Sequence, residues 1–289
     1  MNGIWTVIPT IFDENDIILY NEIDSLVNRQ INAKVTGIVL LGTTSETSTI
    51  DDSDKLMIVN TIWTKYNDKI KIMIGVGGNN TKEVNHFIHK IKDFCHYIML
   101  TVPYYNKPSQ EGIQDHMINL ANQHLDKEMI IYNIPGRCGV NLEVSTLCNI
   151  LEKSPNIIGI KEASGNIAQI YETIQRTNIS VLSGDDSLIV PVMSMGGTGV
   201  ISVVSNIIPE AMMKIYNFCK ENDFKSAINE YNRIHIICHT CFITSNPVPL
   251  KMILKKMNLI SCDKVILPLK IPTNDQKIID QINNLIIFI

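Results

Sequence analysis

Lys161 closes the run Ile157-Ile158-Gly159-Ile160-Lys161-Glu162-Ala163-Ser164-Gly165, an apolar segment with a glycine inside it and a small-residue turn after it. A short apolar run bounded by turn residues is the pattern of a strand covered on both faces. Period-two alternation puts Gly159 and Lys161 on one face and Ile158, Ile160 and Glu162 on the other. The lysine then shares its face with little more than a glycine, which leaves room beside it for a small molecule. On a dry face the ammonium form is disfavoured, the pKa falls, and a nucleophilic amine exists near neutral pH. Taken alone, a lysine emerging into solvent at a strand end is the slightly commoner case.

Groups that could work with such an amine lie just past other apolar runs: Gly42-Thr43-Thr44-Ser45-Glu46, Pro103-Tyr104-Tyr105-Asn106, Tyr132-Asn133-Ile134-Pro135-Gly136-Arg137 and Ser183-Gly184-Asp185-Asp186. A neutral amine attacks ketones. A phenol held near it can shuttle protons as an imine forms and collapses, and an arginine can grip a carboxylate by its bidentate fork. The chemistry implied is Schiff-base catalysis on a keto acid. No thiol or histidine cluster accompanies these groups, so metal chemistry is not suggested and no cofactor is expected.

Eight short strand candidates position these groups: Ile4–Thr10, Gly37–Leu41, Ile70–Gly75, Tyr97–Val102, Met129–Asn133, Ile157–Lys161, Ser180–Ser183 and Gly199–Val203. Between them lie stretches of helical periodicity at Glu22–Ala33, Lys55–Tyr66, Glu83–Phe94, Gln110–His124, Val144–Leu151, Ile167–Gln175 and Leu188–Met195. Asp51-Asp52-Ser53, Thr81 and Pro108-Ser109 stand where helix starts need them. Alternation of this kind predicts an α/β protein, a (β/α)8 TIM barrel. A doubly wound sheet would usually carry a glycine-rich turn after its first strand, and none follows Ile4–Thr10. Past about residue 207 the strands stop. Glu210–Cys219, Phe224–Phe242, Pro249–Met257 and Gln276–Ile286 read as helices, giving a catalytic barrel over 1–222 and a C-terminal helical layer over 223–289 packed on it.

In a barrel, the C-terminal strand ends build the site. That changes the weight of each group. Singly, Tyr132 could satisfy a backbone group, Tyr104 and Tyr105 could form an interface pair, Thr43 and Thr44 could cap a helix, and Arg137 could pair on the surface. Jointly, at the strand ends of one barrel, they favour a site around Lys161.

Composition bounds the rest. With 289 residues, 45% hydrophobic and 19% charged, the chain can bury a sizeable core. A net charge of −4 without a basic cluster argues against nucleic acid and anionic membrane surfaces. Seven scattered cysteines do not form a disulfide framework, the N-terminus lacks the form of a signal peptide, and no apolar run approaches the roughly 20 residues of a membrane span. A soluble, cytoplasmic protein acting on small molecules is expected. His235, Cys238, His239 and Cys241 have metal-like spacing without a second cluster to complete a ligand set, and Gly75-Val76-Gly77-Gly78 and Gly196-Gly197-Thr198-Gly199 complete no phosphate-loop fingerprint.

Several motifs together resemble the dihydrodipicolinate synthase family, within the wider group that includes N-acetylneuraminate lyase. They are Gly42-Thr43-Thr44-x-Glu46, Pro103-Tyr104-Tyr105-Asn106-x-Pro108-Ser109-Gln110-Glu111-Gly112, Tyr132-Asn133-x-Pro135-x-Arg137-x-Gly139, Ile158-Gly159-Ile160-Lys161-Glu162-Ala163-Ser164-Gly165, Ser183-Gly184-Asp185-Asp186, Gly199-Val200-Ile201-Ser202 and Asn246-Pro247-Val248-Pro249. The likeness runs essentially from end to end. It implies a class I aldolase-type lyase condensing pyruvate with aspartate 4-semialdehyde to give 4-hydroxy-tetrahydrodipicolinate, on the route to diaminopimelate and lysine.

By that resemblance Lys161 forms the imine, and Tyr132 transfers protons, linked to Thr43 and to Tyr105 reaching in from a neighbouring subunit. Thr44 holds the pyruvate carboxylate, Arg137 binds the aldehyde's carboxylate, and Ile201 lines the pyruvate pocket with its main chain. A homotetramer built as a dimer of dimers is also implied. Ser45 departs from a common glycine, which could alter the loop's backbone, and Cys138 departs from a common threonine. The family's lysine feedback site maps to Ser48, Asp52, Lys55, Asn79, Glu83 and Tyr104, with Asp52 and Lys55 replacing histidines of regulated members, so feedback by lysine is not expected. Two other readings stand beside this one: a sibling lyase cleaving N-acetylneuraminate or a 2-keto-3-deoxy sugar acid, which Arg137 disfavours, and a catalytically silent barrel, which the intact Lys161, Tyr132, Thr43 and Tyr105 disfavour.

Overall fold

The computed structural model describes residues 1–288. Eight strands, β1 (Gly3–Val7), β2 (Gly37–Leu40), β3 (Lys71–Val76), β4 (Tyr97–Thr101), β5 (Glu128–Asn133), β6 (Ile157–Glu162), β7 (Ser180–Ser183) and β8 (Gly199–Ser202), pair in parallel with their sequence neighbours. Trp5 of β1 lies opposite Ile201 of β8 and closes the barrel. Helices α1 (Tyr20–Asn32), α2 (Asp52–Tyr66), α3 (Thr81–Ile91), α4 (Gln110–Asn122), α5 (Pro135–Cys138), α6 (Val144–Lys153), α7 (Ile167–Arg176), α8 (Ile189–Ser194) and α9 (Pro209–Lys220) return the chain between strands or after the last. The architecture is the TIM barrel that the spacing predicts.

Both strand faces are apolar because each meets a different core. Val39, Met73, Met99, Ile130, Leu182 and Ile201 fill the barrel's interior. Their chain neighbours Ile38, Leu40, Ile72, Ile74, Ile98, Leu100 and Ile131 face the helices. At the base of the interior, Trp5 meets Tyr97 edge-on with ring centres 5.4 Å apart. Gly37 makes room for that indole, since a Cβ there would stand 2.3 Å from the Trp5 ring.

Differences from the predicted boundaries have local causes. β1 ends at Val7 rather than Thr10: Ile8 still donates to Val39 O at 3.0 Å, but Pro9 has no amide hydrogen to continue the ladder. Ser109 accepts from Gly112 N at 3.2 Å and starts α4, as expected. At α3 the cap is Asn80, accepting from Lys82 N, and Thr81 is the first helical residue instead.

The chain continues as α10 (Phe224–Thr240), α11 (Val248–Lys256) and α12 (Gln276–Phe288), with the last residue of the expected 223–289 layer outside the described residues. The segment between α11 and α12 folds back on the barrel, where Ser261 N donates to Glu22 at 2.9 Å. Along α10 and at the residue that caps it, Cys238 and Cys241 are buried while His235 bonds Asn232 O and His239 meets Gln281, so these four do not converge. Among the described residues no helix is long and apolar enough to cross a membrane.

Candidate active site

Tyr132 and Lys161 face each other across the β5–β6 pair. Nζ of Lys161 lies 4.0 Å from the centre of the Tyr132 ring, and the two residues are 6% and 4% exposed. Burial strips the ammonium of water and lowers the Lys161 pKa to about 8, against the opposing pull of the Asp185 and Asp186 carboxylates. Burial likewise pushes the Tyr132 phenol well up, while the Thr43 side chain and Arg137 draw it back. The pair therefore offers an amine that is partly neutral near physiological pH beside a phenol that keeps its proton.

One expectation about β6 needs correcting. Met129 pairs with Ile157 and Ile130 with Gly159, so Ile158 is the extra residue of a bulge. It packs toward the barrel's interior cluster, not with outward-facing Ile160. Nor does Gly159 leave a void: a Cβ there would meet Ser180 O at 3.0 Å and Ile130 Cγ2 at 3.1 Å. Beyond the bulge the alternation resumes. On the outer side, Asn133 Nδ2 donates to both carboxylate oxygens of Glu162 at 3.1 and 3.0 Å, and Gln169 and Ser164 N also donate to that carboxylate. These bonds fix the register that sets Tyr132 opposite Lys161.

The turn after β2 carries Thr43, Thr44 and Ser45 in a single 3-10 turn. Ser45 has no positive φ; the left-handed residues flanking the turn are Leu41 (φ 54°) and Glu46 (φ 56°). Glycine's wider backbone freedom is therefore not needed at position 45, and Ser45 Oγ donates to Ile8 O at 2.7 Å. Thr44 is 2% exposed, and its Oγ1 accepts from Asn246 Nδ2 at 2.9 Å. Glu46 is held by Lys251 Nζ at 2.5 Å and by Ile266 N at 2.8 Å. Lys251 is fully buried, also donates to Lys264 O, and lies 4.6 Å from the centre of the Phe12 ring.

Past β5, Pro135 starts the one-turn α5 and Gly139, at φ 75°, ends it. That turn presents Arg137 to solvent at the rim, where its guanidinium makes no ion pair among the described residues. Cys138 turns inward and donates to Val102 O at 3.2 Å, and burial raises its thiol to about 11. Thr43, Tyr132 and Arg137 line one cavity of about 750 Å³ that also includes Ser48, Asp52, Lys55, Asn79, Glu83 and Tyr104. Within it Lys55 Nζ pairs with Asp52 at 3.1 Å. Lys161 is not part of that lining; its amine lies against the ring of Tyr132, which is.

The structure therefore gathers Lys161, Tyr132, Thr43 and Arg137 at one barrel mouth, with Ile201 in the interior cluster beside Tyr132 and Thr44 buried in the β2 turn. Tyr105 is apart. Its side chain is 86% exposed and outside the cavity, its backbone left-handed at φ 72°. Sequence reasoning gave Asn246 and Asp185 no role beyond the motifs that contain them, and Lys251 went unnoticed. For Lys251 the signal was present: one lysine inside Val248-Pro249-Leu250-Lys251-Met252-Ile253-Leu254, the same pattern that singled out Lys161.

Comparison with known proteins agrees with this geometry. The model of the dihydrodipicolinate synthetase family matches residues 1–284. A 4-hydroxy-tetrahydrodipicolinate synthase of Karelsulcia muelleri (strain GWSS) is 37% identical, covering 99% of this chain and 98% of its own. The solved 4-hydroxy-tetrahydrodipicolinate synthase of Methylacidiphilum fumariolicum SolV superposes with a TM-score of 0.95 at 31% identity, covering 100% and 95% of the two chains. The chloride-inhibited dihydrodipicolinate synthase of Acinetobacter baumannii, solved with pyruvate, gives 0.94 at 32% identity over 99% and 98%. Matched over nearly its whole length, the chain belongs to the dihydrodipicolinate synthetase family.

Proposed function

We propose that the chain condenses pyruvate with aspartate 4-semialdehyde to 4-hydroxy-tetrahydrodipicolinate, in diaminopimelate and lysine biosynthesis. The observation that carries this reading is the buried Lys161 amine, lowered to about 8 and set against the Tyr132 ring. The neutral amine adds to the pyruvate ketone carbon, and the carbinolamine loses water to give the imine. Loss of a methyl proton converts the imine to an enamine, whose carbon attacks the aldehyde carbon of the second substrate. The amino group of that substrate then displaces Lys161 from the imine carbon and closes the ring. Protons move at nitrogen, at oxygen and at the methyl carbon, the work of Tyr132 with Thr43 and Tyr105 of the partner subunit. Thr44 takes the pyruvate carboxylate, Ile201 offers its main chain to the keto acid, and Arg137, exposed at the rim, takes the aldehyde's carboxylate.

The exposed Tyr105 favours an assembly that covers it, a homotetramer built from dimers. Seven free cysteines suit a reducing compartment, hence the cytoplasm. Because Lys55 and its partner Asp52 occupy the cleft where the feedback ligand of regulated relatives would lie, added lysine should leave the rate unchanged.

Borohydride reduction with pyruvate, followed by peptide mass mapping, should leave a reduced pyruvyl adduct on Lys161. An unmodified lysine would sink the imine step. Turnover of pyruvate plus aspartate 4-semialdehyde should exceed cleavage of N-acetylneuraminate, and the reverse order would move the chain to a sibling activity.

A further inference from the structure

The hydroxyl of Thr44 is set by a residue far away in the sequence. A threonine hydroxyl has one hydrogen to donate and two lone pairs to accept with. Here one lone pair is taken by Asn246 Nδ2, 2.9 Å away, and among the described residues the hydroxyl hydrogen is donated to nothing. Both side chains are shut from solvent, Thr44 at 2% and Asn246 at 6% exposed. The other amide atom of Asn246, Oδ1, is buried with no partner among the described residues, a costly arrangement for a residue whose only task is packing. Two residues further along the same turn, Glu46 is anchored by Lys251 and Ile266 N, so the backbone under Thr44 is fixed from the same C-terminal layer.

We propose that Asn246 is a positioning residue for the keto-acid carboxylate: by donating to Thr44 it reserves that hydroxyl's hydrogen for the bound substrate. The proposal rests on the reading that Thr44 faces the pyruvate carboxylate. An amide turned the other way would draw the Thr44 hydrogen to itself and leave the substrate an oxygen instead of a donor. Asn246→Asp imposes that second state, because an ionised carboxylate can only accept. The polarity of one buried amide thus decides whether Thr44 attracts or repels an anion.

Steady-state kinetics with each substrate varied separately tests this. Asn246→Ala should raise KM for pyruvate about 10- to 100-fold, the range for one hydrogen bond to a charged group, with kcat at saturating pyruvate and KM for the aldehyde little changed. Asn246→Asp, nearly isosteric, should raise it at least as far and carries the test if the alanine variant does not fold. Thr44→Val should reproduce the loss, and adding Asn246→Ala to Thr44→Val should cost nothing more. An unchanged pyruvate KM in Asn246→Asp, or losses that multiply in the double variant, would overturn the proposal, since Asn246 would then act elsewhere than through the Thr44 hydroxyl. Borohydride trapping in the unaltered protein reports on the Lys161 reading by itself, so failure of one is distinguishable from failure of the other.

Discussion

Lys161 is held in a state that costs the fold and suits the imine chemistry proposed for it. Its pKa is about 8 in the folded chain against an ordinary 10.5. Between those two values the unfolded chain holds a proton that the folded chain has released, so stability should rise with pH across that window and carry the full penalty below pH 8. The difference corresponds to about 3 kcal/mol. Lys161→Met should therefore abolish activity, raise stability at pH 7 by an amount of that order, and remove the rise toward pH 10. Urea unfolding of both proteins at the two pH values measures this. The rate of pyruvate trapping in the unaltered protein should climb through pH 8 and then level. This residue was legible because a single lysine inside an apolar run is rare enough to notice. The side that Ile158 takes was not, because a bulge is a pairing event between two strands and neither strand's own pattern contains it.

At the scale of elements, every strand was readable from its apolar run, while the end of β1 was not, since it is set by Pro9 having no amide hydrogen to donate. The turn after β2 was the least readable piece. Ser45 stands in a 3-10 turn with its hydroxyl on Ile8 O, a contact 37 residues back along the chain. Ser45→Gly should destabilise the protein by about 1–2 kcal/mol, through the lost hydrogen bond and the added freedom of the unfolded chain. Denaturant midpoints check it, and a gain in stability would mean that serine strains the turn after all. The other anchor of this turn is the Glu46–Lys251 pair, buried at both ends. Lys251→Met alone should cost about 3–5 kcal/mol because the buried Glu46 carboxyl loses its ion-pair partner and keeps only Ile266 N, and adding Glu46→Gln should recover part of it. Equal losses in the single and double variants, read by the same denaturation, would place the cost in packing around Phe12 instead. No local pattern joins positions 46 and 251; only the folded chain does.

For the molecule as a whole, the proton path proposed for the site is incomplete within one chain. Thr43 and Tyr132 are in place, while Tyr105 extends into solvent. If the partner subunit supplies that phenol, Lys161→Ala and Tyr105→Phe should complement each other. Mixed, dissociated and reassociated, the two weak variants should form hybrids in which one of two sites regains every group, and recovered turnover measures it. No recovery would mean that Tyr105 serves its own chain or none.

The turn after β2 also limits how the chain can be rearranged. All eight strands and Lys161, Tyr132, Thr43, Thr44 and Arg137 precede residue 222, so the first part of the sequence looks self-sufficient. Yet Asn246, Lys251 and Ile266, all beyond that point, hold the turn that carries Thr44. Inheritance of the two parts is therefore coupled. A relative's tail grafted onto this barrel brings its own amide and amine to the Thr44 turn, and if that turn holds the keto acid as proposed, a tail that diverges there changes which anions the pocket welcomes without altering a residue of the barrel.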